Sequence, residues 1–203
     1  MTINLGAVIL AAGLSRRMGQ QKLLLPLNDI PILANVLGTV MAFEWAECIA
    51  VIGEPQQNLA EICDEHQVNW IFNDARETGQ ASSIRLALSK LGEKLDGVIF
   101  IPGDQPLISE QLIKALIDRF YMVNNSEAII VPQYKGQNFS PVIFGAEWRD
   151  SLMNLAGDNG GRSIIRENSK WVEPLEWTDK WVFYDADTHE EYECLIRENN
   201  RRH

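Results

Sequence analysis

The sequence predicts an α/β fold with a mainly parallel sheet, and two observations carry that expectation. Apolar runs alternate along the chain with segments of helical spacing. The runs are continuous rather than alternating, as strands covered on both faces require and a half-exposed sheet does not. At 203 residues and 46% hydrophobic content the chain can bury one sizeable core, and it reads as a single domain over residues 1–203. No internal repeat, low-complexity tract or linker rich in Pro, Gly or Ser divides it.

The elements follow in order. "GAVILAAG" (6–13) reads as a fully buried strand. "PILANVLGTVMAF" (31–43) has helical spacing, with Pro31 suited to a first turn. "CIAVIG" (48–53) is a strand, "PQQNLAEICDEH" (55–66) a helix, "VNWIFN" (68–73) a strand and "GQASSIRLALSKL" (79–91) a helix. "GVIFIPGD" (97–104) is a third continuous apolar strand, and the next helix, 109–120, has Ser109 as its cap. "AIIVPQY" and "SPVIFG" give two more strands. Beyond them lie short helices over 147–155 and 160–168, strands at "WVEPL" and "WVFYDA", and a terminal helix "THEEYECLIREN". The final "RENNRRH" is expected to fray, with its basic residues solvated.

Charge and cysteine content exclude several function classes. With 28 acidic against 18 basic residues the net charge is −10, which argues against nucleic acid and against anionic membranes, since both select a basic surface. An anionic substrate would need local cations or a metal. Cys48, Cys63 and Cys194 are far apart in sequence and form no C-x-x-C pair, so they read as inert thiols of a reducing compartment. "LGAVILAAGL" has no basic leader and is too short to span a bilayer, which makes the cytoplasm the expected location.

In open α/β sheets ligands bind beyond the carboxyl ends of the strands. The first strand is followed by Ala11, Ala12, Gly13, Arg16, Arg17 and Lys22, and the strand at 97 by Gly103, Asp104, Gln105 and Pro106. Asp185 and Asp187 follow the last apolar run. The glycine spacing matches neither G-x-G-x-x-G nor G-x-x-x-x-G-K-[ST], so this is neither a dinucleotide fingerprint nor a P-loop. Cations at one strand end and acids at others nonetheless suit a nucleoside triphosphate with Mg²⁺. Each residue also has a bland reading. Gly13 can simply end a strand, and Arg17 and Lys22 singly read as solvated cations. Asp104 in "PGDQP" and Asp158 in "GDNGG" suit turns, and Asp185, Asp187 or Thr188 could cap the last helix. His66, His189 and His203 read as surface residues and the tryptophans as packing.

The joint pattern is what tips the balance. "LAAGLSRRMGQQKLLLPL" resembles the signature of nucleotidyltransferases with a Rossmann-like, GT-A-type, three-layer α/β/α fold, in particular the molybdenum cofactor nucleotidyltransferases, or MobA-like NTP transferases. The resemblance continues through "NDARETGQASSIRLAL", "IPGDQP", "SPVIFGAEWRDSLMNLAGDNGGRSII" and "DADTHEEYECL" and so covers almost the whole chain. "GDQP" with "LAGDNGGR" points to the cytidylyltransferase branch. L-A-A-G at Leu10–Gly13, where guanylylating members tend to read L-A-G-G, points the same way. The methyl of Ala12 suits a pyrimidine, and such a contact, worth about 1–3 kcal/mol, biases the base without fixing it.

Carried over residue by residue, the resemblance implies that Leu10, Ala11, Ala12 and Gly13 surround base and ribose, with Asn73, Gly79 and Ser82 near the nucleotide. It implies that Arg16 and Lys22 contact the triphosphate and act in catalysis with Asp104. Of two adjacent arginines only one is expected to reach the cleft, and Arg16 is taken as that one. Asp104, with Asp185 or Asp187, would hold Mg²⁺, for which Mn²⁺ can substitute, and Asp158, Gly160 and Arg162 would border the acceptor. Ser140 departs from the pattern, since many relatives carry histidine before "PVIF".

The implied reaction joins CMP from CTP to the terminal phosphate of a molybdenum cofactor. A phosphate monoester is already largely ionised at neutral pH, so no general base is required. Other NTPs, guanylylation of the cofactor, or another phosphorylated acceptor are the alternatives within the fold. A non-catalytic nucleotide-binding partner or chaperone of a molybdoenzyme is the alternative of another class, and retention of Arg16, Lys22 and Asp104 favours the enzyme.

Overall fold

In chain order the strands and helices are β1 (Leu5–Ala11), the two-residue strands β2 (Pro26–Leu27) and β3 (Ile30–Pro31), α1 (Ile32–Val40), β4 (Glu47–Ile52), α2 (Gln56–Glu65), β5 (Asn69–Phe72), α3 (Gln80–Leu88), β6 (Gly97–Pro102), α4 (Glu110–Val123), β7 (Ile129–Tyr134), β8 (Gln137–Asn138), β9 (Val142–Gly145), α5 (Arg149–Met153), α6 (Arg162–Glu167), β10 (Val172–Glu176) and α7 (His189–Arg202). The computed structural model describes residues 4–158 and 160–202; Asn159 of the "GDNGG" turn and His203 lie outside them.

An eight-stranded sheet runs in the order β10-β7-β9-β6-β1-β4-β5, with β8 paired to β7. The β4–β1–β6 centre and the β4–β5 and β7–β10 pairs are parallel, whereas β9 runs antiparallel between β6 and β7. The mainly parallel sheet of the sequence reading thus holds for the half that ends in the site. Alternate residues of β1 explain its unbroken apolar run. Leu5, Ala7, Ile9 and Ala11 pack in the layer built by α1, α2, α4 and α7, while Val8 packs in the opposite layer with α3, α5 and α6. Both faces being covered, no position of β1 could be polar without an internal partner. Leu10 lies opposite Val51 of β4 and Pro102 of β6, so these three strands end level with one another. Loops leaving them therefore meet at one edge.

Ser109 caps α4 as its sequence position implies, accepting the Leu112 N–H at 3.2 Å. Other expectations are corrected. Pro31 precedes α1 rather than opening it, because it belongs to the β2–β3 hairpin. That hairpin turns on Asn28 and Asp29, both in the left-handed region (φ 52° and 61°) that such a turn requires. "WVFYDA" is not a strand. Asp179 accepts the Trp181 N–H at 3.0 Å and starts a 3-10 turn over Lys180–Phe183, from which Val182 and Phe183 plug the core. An apolar run reads alike whether a strand or a buried turn carries it.

The chain end does not fray among the described residues. α7 continues to Arg202, whose guanidinium makes two 2.8 Å hydrogen bonds to the Asp179 carboxylate and also faces Glu198. Arg202 holds Asp179 below the usual carboxylate range, overcoming the desolvation that opposes it. Since the folded pKa is depressed, the stability this pair contributes is present above the unfolded carboxylate pKa and is lost as pH falls through the folded one. Asp179→Asn keeps the turn's cap and removes the charge. Urea unfolding is expected to show the variant less stable than wild type at pH 7 and the gap closing by about pH 2–3, where paired carboxylates titrate.

Candidate active site

The loop after β1 is built around Gln21. Its Oε1 accepts from the Ser15 hydroxyl at 2.9 Å and the Leu23 N–H at 3.3 Å, and its Nε2 donates to the Glu54 carbonyl at 2.7 Å. The Ser15 hydroxyl accepts the Lys22 N–H at 3.3 Å, and the buried Leu23 anchors the 3-10 turn Lys22–Leu24 that follows. The backbone of Lys22 is thereby fixed with its side chain directed inward, 7% exposed. Its ammonium lies 2.6 Å from Asp104 Oδ2 and 2.6 Å from Asp187 Oδ1.

Asp104 comes from the turn after β6, and Asp185 and Asp187 from the segment before α7. Thr188, not either aspartate, caps α7. Its hydroxyl accepts the Glu191 N–H at 3.2 Å, while Glu191 accepts the Asp187 and Thr188 N–H groups at 3.0 and 2.9 Å, a capping box. The two aspartates are left free to join Asp104, and one oxygen from each of the three lies within 4.8 Å of the others. Crowding shows in their titration. Asp185 is pushed above the usual carboxylate range, first by desolvation and then by the charge of Asp104. Desolvation also opposes ionisation of Asp187, but Lys22 and Arg17 outweigh it and hold that carboxyl low. Burial pulls Lys22 down, and the two aspartates more than restore it above its ordinary value.

Two cavities open on this cluster. The smaller, about 260 Å³, is lined by Leu10, Ala12, Gly13, Gly79, Ser83, Arg76 and Asp158 among others. The larger, about 380 Å³, is lined by Phe139, Ser140, Gly161, Arg162 and Asp185 among others. Leu10, Gln80, Pro102 and Asp104 line both, so Asp104 stands at their junction.

Several candidates fall elsewhere than the sequence reading placed them. Arg17, not Arg16, reaches the cluster and bonds Asp187, while Arg16 is exposed and pairs with none of the described residues. Ala11 turns its side chain into the core. Asp158 lines the smaller cavity, while Arg162 lines the larger, and a Cβ on Gly160 would meet Gln80 Oε1 at 2.2 Å. Asn73 and Ser82 are buried behind the smaller cavity. Asn73 Nδ2 donates to Ser82 and Ser83, at 2.9 Å each, and its Oδ1 accepts the Ala75 N–H. Ser82 donates to the Gly79 carbonyl at 2.8 Å. Ser83 accepts from Asn73 and lines the smaller cavity, and its hydroxyl proton has no acceptor among the described residues. Ser83, Arg76 and Gln21 were not singled out from sequence; Arg76 is the lone cation of "NDARETG", the one signal that could have marked it. Burial pushes the thiols of Cys48 and Cys63 up to about 12, so they stay protonated and inert.

Comparison with known proteins places this geometry. The family model described as "MobA-like NTP transferase domain" matches residues 7–172. The purine catabolism protein PucB of Bacillus subtilis is 30% identical over 94% of this chain and 95% of its own length. Among solved structures, the Mycobacterium sp. strain JC1 homologue of M. tuberculosis Rv0371c aligns over 100% of both chains, with a TM-score of 0.88 and 25% identity. Rv0371c itself, in a complex with manganese, shares the fold at a TM-score of 0.78 and 23% identity, covering 95% of this chain and 98% of that one.

Gly79 and Gly13 differ in what they tolerate. At Gly79 φ is +104° and a Cβ would lie 2.4 Å from the Gly157 carbonyl carbon, whereas nothing lies within 4 Å of a Cβ on Gly13. Gly79→Ala is expected to cost about 1–3 kcal/mol of unfolding free energy, by strain plus displacement of the 157–158 loop. Gly13→Ala is expected to change it by less than about 0.5 kcal/mol. Chemical denaturation of the two variants side by side checks this.

Proposed function

The chain belongs to the MobA-like NTP transferase family, and on that premise we propose that it transfers CMP from CTP to the terminal phosphate of a molybdenum cofactor, releasing pyrophosphate. In this reading it acts in the cytoplasm, with residues 1–203 as one nucleotidyltransferase domain. The observation that carries the reading is Asp104 at the junction of two cavities, beside two further carboxylates and a buried lysine. One cavity suits the nucleotide, the other the acceptor, and the acid cluster lies where they meet.

The donor set fits a divalent cation. Oxygens that share one Mg²⁺ at 2.0–2.1 Å lie at most about 4.2 Å apart. The three carboxylates, within 4.8 Å, need to close by a few tenths of an ångström. Asp104 with Asp185 and Asp187 would hold Mg²⁺ or Mn²⁺, which when bound polarises the α-phosphate and neutralises charge on the leaving pyrophosphate. Lys22, Arg16 and Arg17 counter the triphosphate. Arg162, on the wall of the larger cavity, meets the acceptor's anionic end.

Transfer is then a single in-line displacement. An acceptor phosphate oxygen, ionised without help from a base, attacks the α-phosphorus, and the bond from that phosphorus to the bridging oxygen of pyrophosphate breaks. The chain's residues align the two substrates and stabilise charge rather than move a proton. On the nucleotide side the proton left to Ser83 supports a base that presents an acceptor edge, as cytosine does with O2 and N3. Ala12 narrows the same wall. Asn73 and Ser82 act behind them as positioning residues.

Pyrophosphate release from each of the four NTPs, with and without molybdenum cofactor, tests the reading. Release is expected with CTP plus cofactor, and in excess of release with GTP; better use of GTP would place the chain outside the cytidylylating branch. Asp104→Asn is expected to fold normally and lower turnover by at least about 10²-fold. Ser83→Ala is expected to raise the KM for CTP by about tenfold, the value of one uncharged hydrogen bond, with kcat little changed.

A further inference from the structure

We propose that Lys22 and the divalent metal compete for the same carboxylates, so that the nucleotide-free protein holds metal weakly and metal and triphosphate enter together. The inference rests on the reading of Asp104, Asp185 and Asp187 as the metal ligands. It concerns what those residues do before substrate arrives.

The cluster is already neutralised from within. The Lys22 ammonium bonds one oxygen of Asp104 and one of Asp187, at 2.6 Å each, from a side chain only 7% exposed. Arg17 takes the other oxygen of Asp187 from an exposed position. Both oxygens of Asp187 and one of Asp104 are therefore bound to cations, and Asp185 alone makes no ion pair among the described residues. Three carboxylates against two cations leave one formal negative charge. A divalent ion entering that arrangement would meet occupied oxygens and two neighbouring positive charges. It binds well only once Lys22 and Arg17 have somewhere else to go.

A triphosphate supplies that destination. The backbone of Lys22 is pinned through Ser15 and the Gln21-centred loop, but its four-carbon stem is flexible, so the ammonium can swing from carboxylate to phosphate without the loop moving. A lysine this deeply enclosed cannot simply turn to water, and a ligand that brings its own anion lowers the cost of breaking the pair. Arg17 moves by the same exchange. Nucleotide binding thus uncovers the acids as it withdraws their internal counter-ions, and the two ligands stabilise each other reciprocally. Asp187 stores both cations until then.

Electron paramagnetic resonance of Mn²⁺ added to nucleotide-free protein tests this, with dialysis of labelled CTP in the presence and absence of Mn²⁺ as a second arm. Lys22→Met is expected to bind Mn²⁺ alone more tightly than wild type by on the order of tenfold or more, within the usual range of coupling between sites. Arg17→Gln, altered at a residue 68% exposed and therefore safe for folding, is expected to fall between them. Wild type is expected to retain CTP better with Mn²⁺ than without. If wild type binds Mn²⁺ alone as tightly as Arg17→Gln and Lys22→Met while still retaining CTP with Mn²⁺, the competition is overturned and the metal-site reading stands. If neither wild type nor the variants bind Mn²⁺, alone or with CTP, the metal-site reading itself fails and the competition with it.

Discussion

Three carboxylates converge at one edge of the sheet, and the rest of the site is arranged around the charge they create. Asp104 and Asp187 are brought together from positions far apart in the chain and are bridged by one ammonium, at 2.6 Å to each. Crowded carboxylates of this kind stay ionised together only with positive charge beside them. Here that is Lys22, with Arg17 on the outer side of Asp187. In the proposed reading a divalent metal takes over that role when substrate binds, and the same two side chains turn to phosphate. The acidic surface of a chain with net charge −10 is compatible with an anionic substrate because a few cations are focused in one cleft.

The fold delivers these groups by register. β1, β4 and β6 end level, and the loop after β1 reaches across to the Glu54 carbonyl, just past β4, through Gln21 Nε2. Close glycine packing joins the remaining pieces: Gly79 meets the 157–158 loop, and Ala81 N–H donates to the Gly157 carbonyl at 3.1 Å. The second cavity lies beyond Asp104, against the antiparallel β9 and the α6 helix. The parallel half thus borders the smaller cavity, and the antiparallel β9 forms a wall of the larger one.

Much of this could be read from the sequence where the signal was local. Continuous apolar runs gave β1, β4 and β6, Ser109 gave a helix start, and "LAAGLSRRMGQQK" gave a cation-bearing loop at the end of β1, because each depends on neighbours in the chain. What escaped depends on the third dimension. Lys22 was read as a phosphate ligand, but its pairing with Asp187 spans a separation of 165 residues that no spacing rule encodes. Arg16 and Arg17 are equivalent in sequence, and only the left-handed Ser15 (φ 46°) and the turn it starts decide which of them faces Asp187. Ser82 and Ser83 are adjacent on α3 and so point about 100° apart, one back to Gly79 and one to the cavity. "WVFYDA" misled because burial, not secondary structure, sets its composition.

Anomalous scattering from crystals grown with CTP and Mn²⁺ tests directly whether the three acids exchange Lys22 for a metal. One manganese peak is expected, bound by Asp104 together with Asp185 or Asp187, with the Lys22 ammonium moved from both carboxylates onto a phosphate oxygen. Manganese elsewhere, with the Lys22 bridge between Asp104 and Asp187 unbroken in the presence of bound nucleotide, would contradict it.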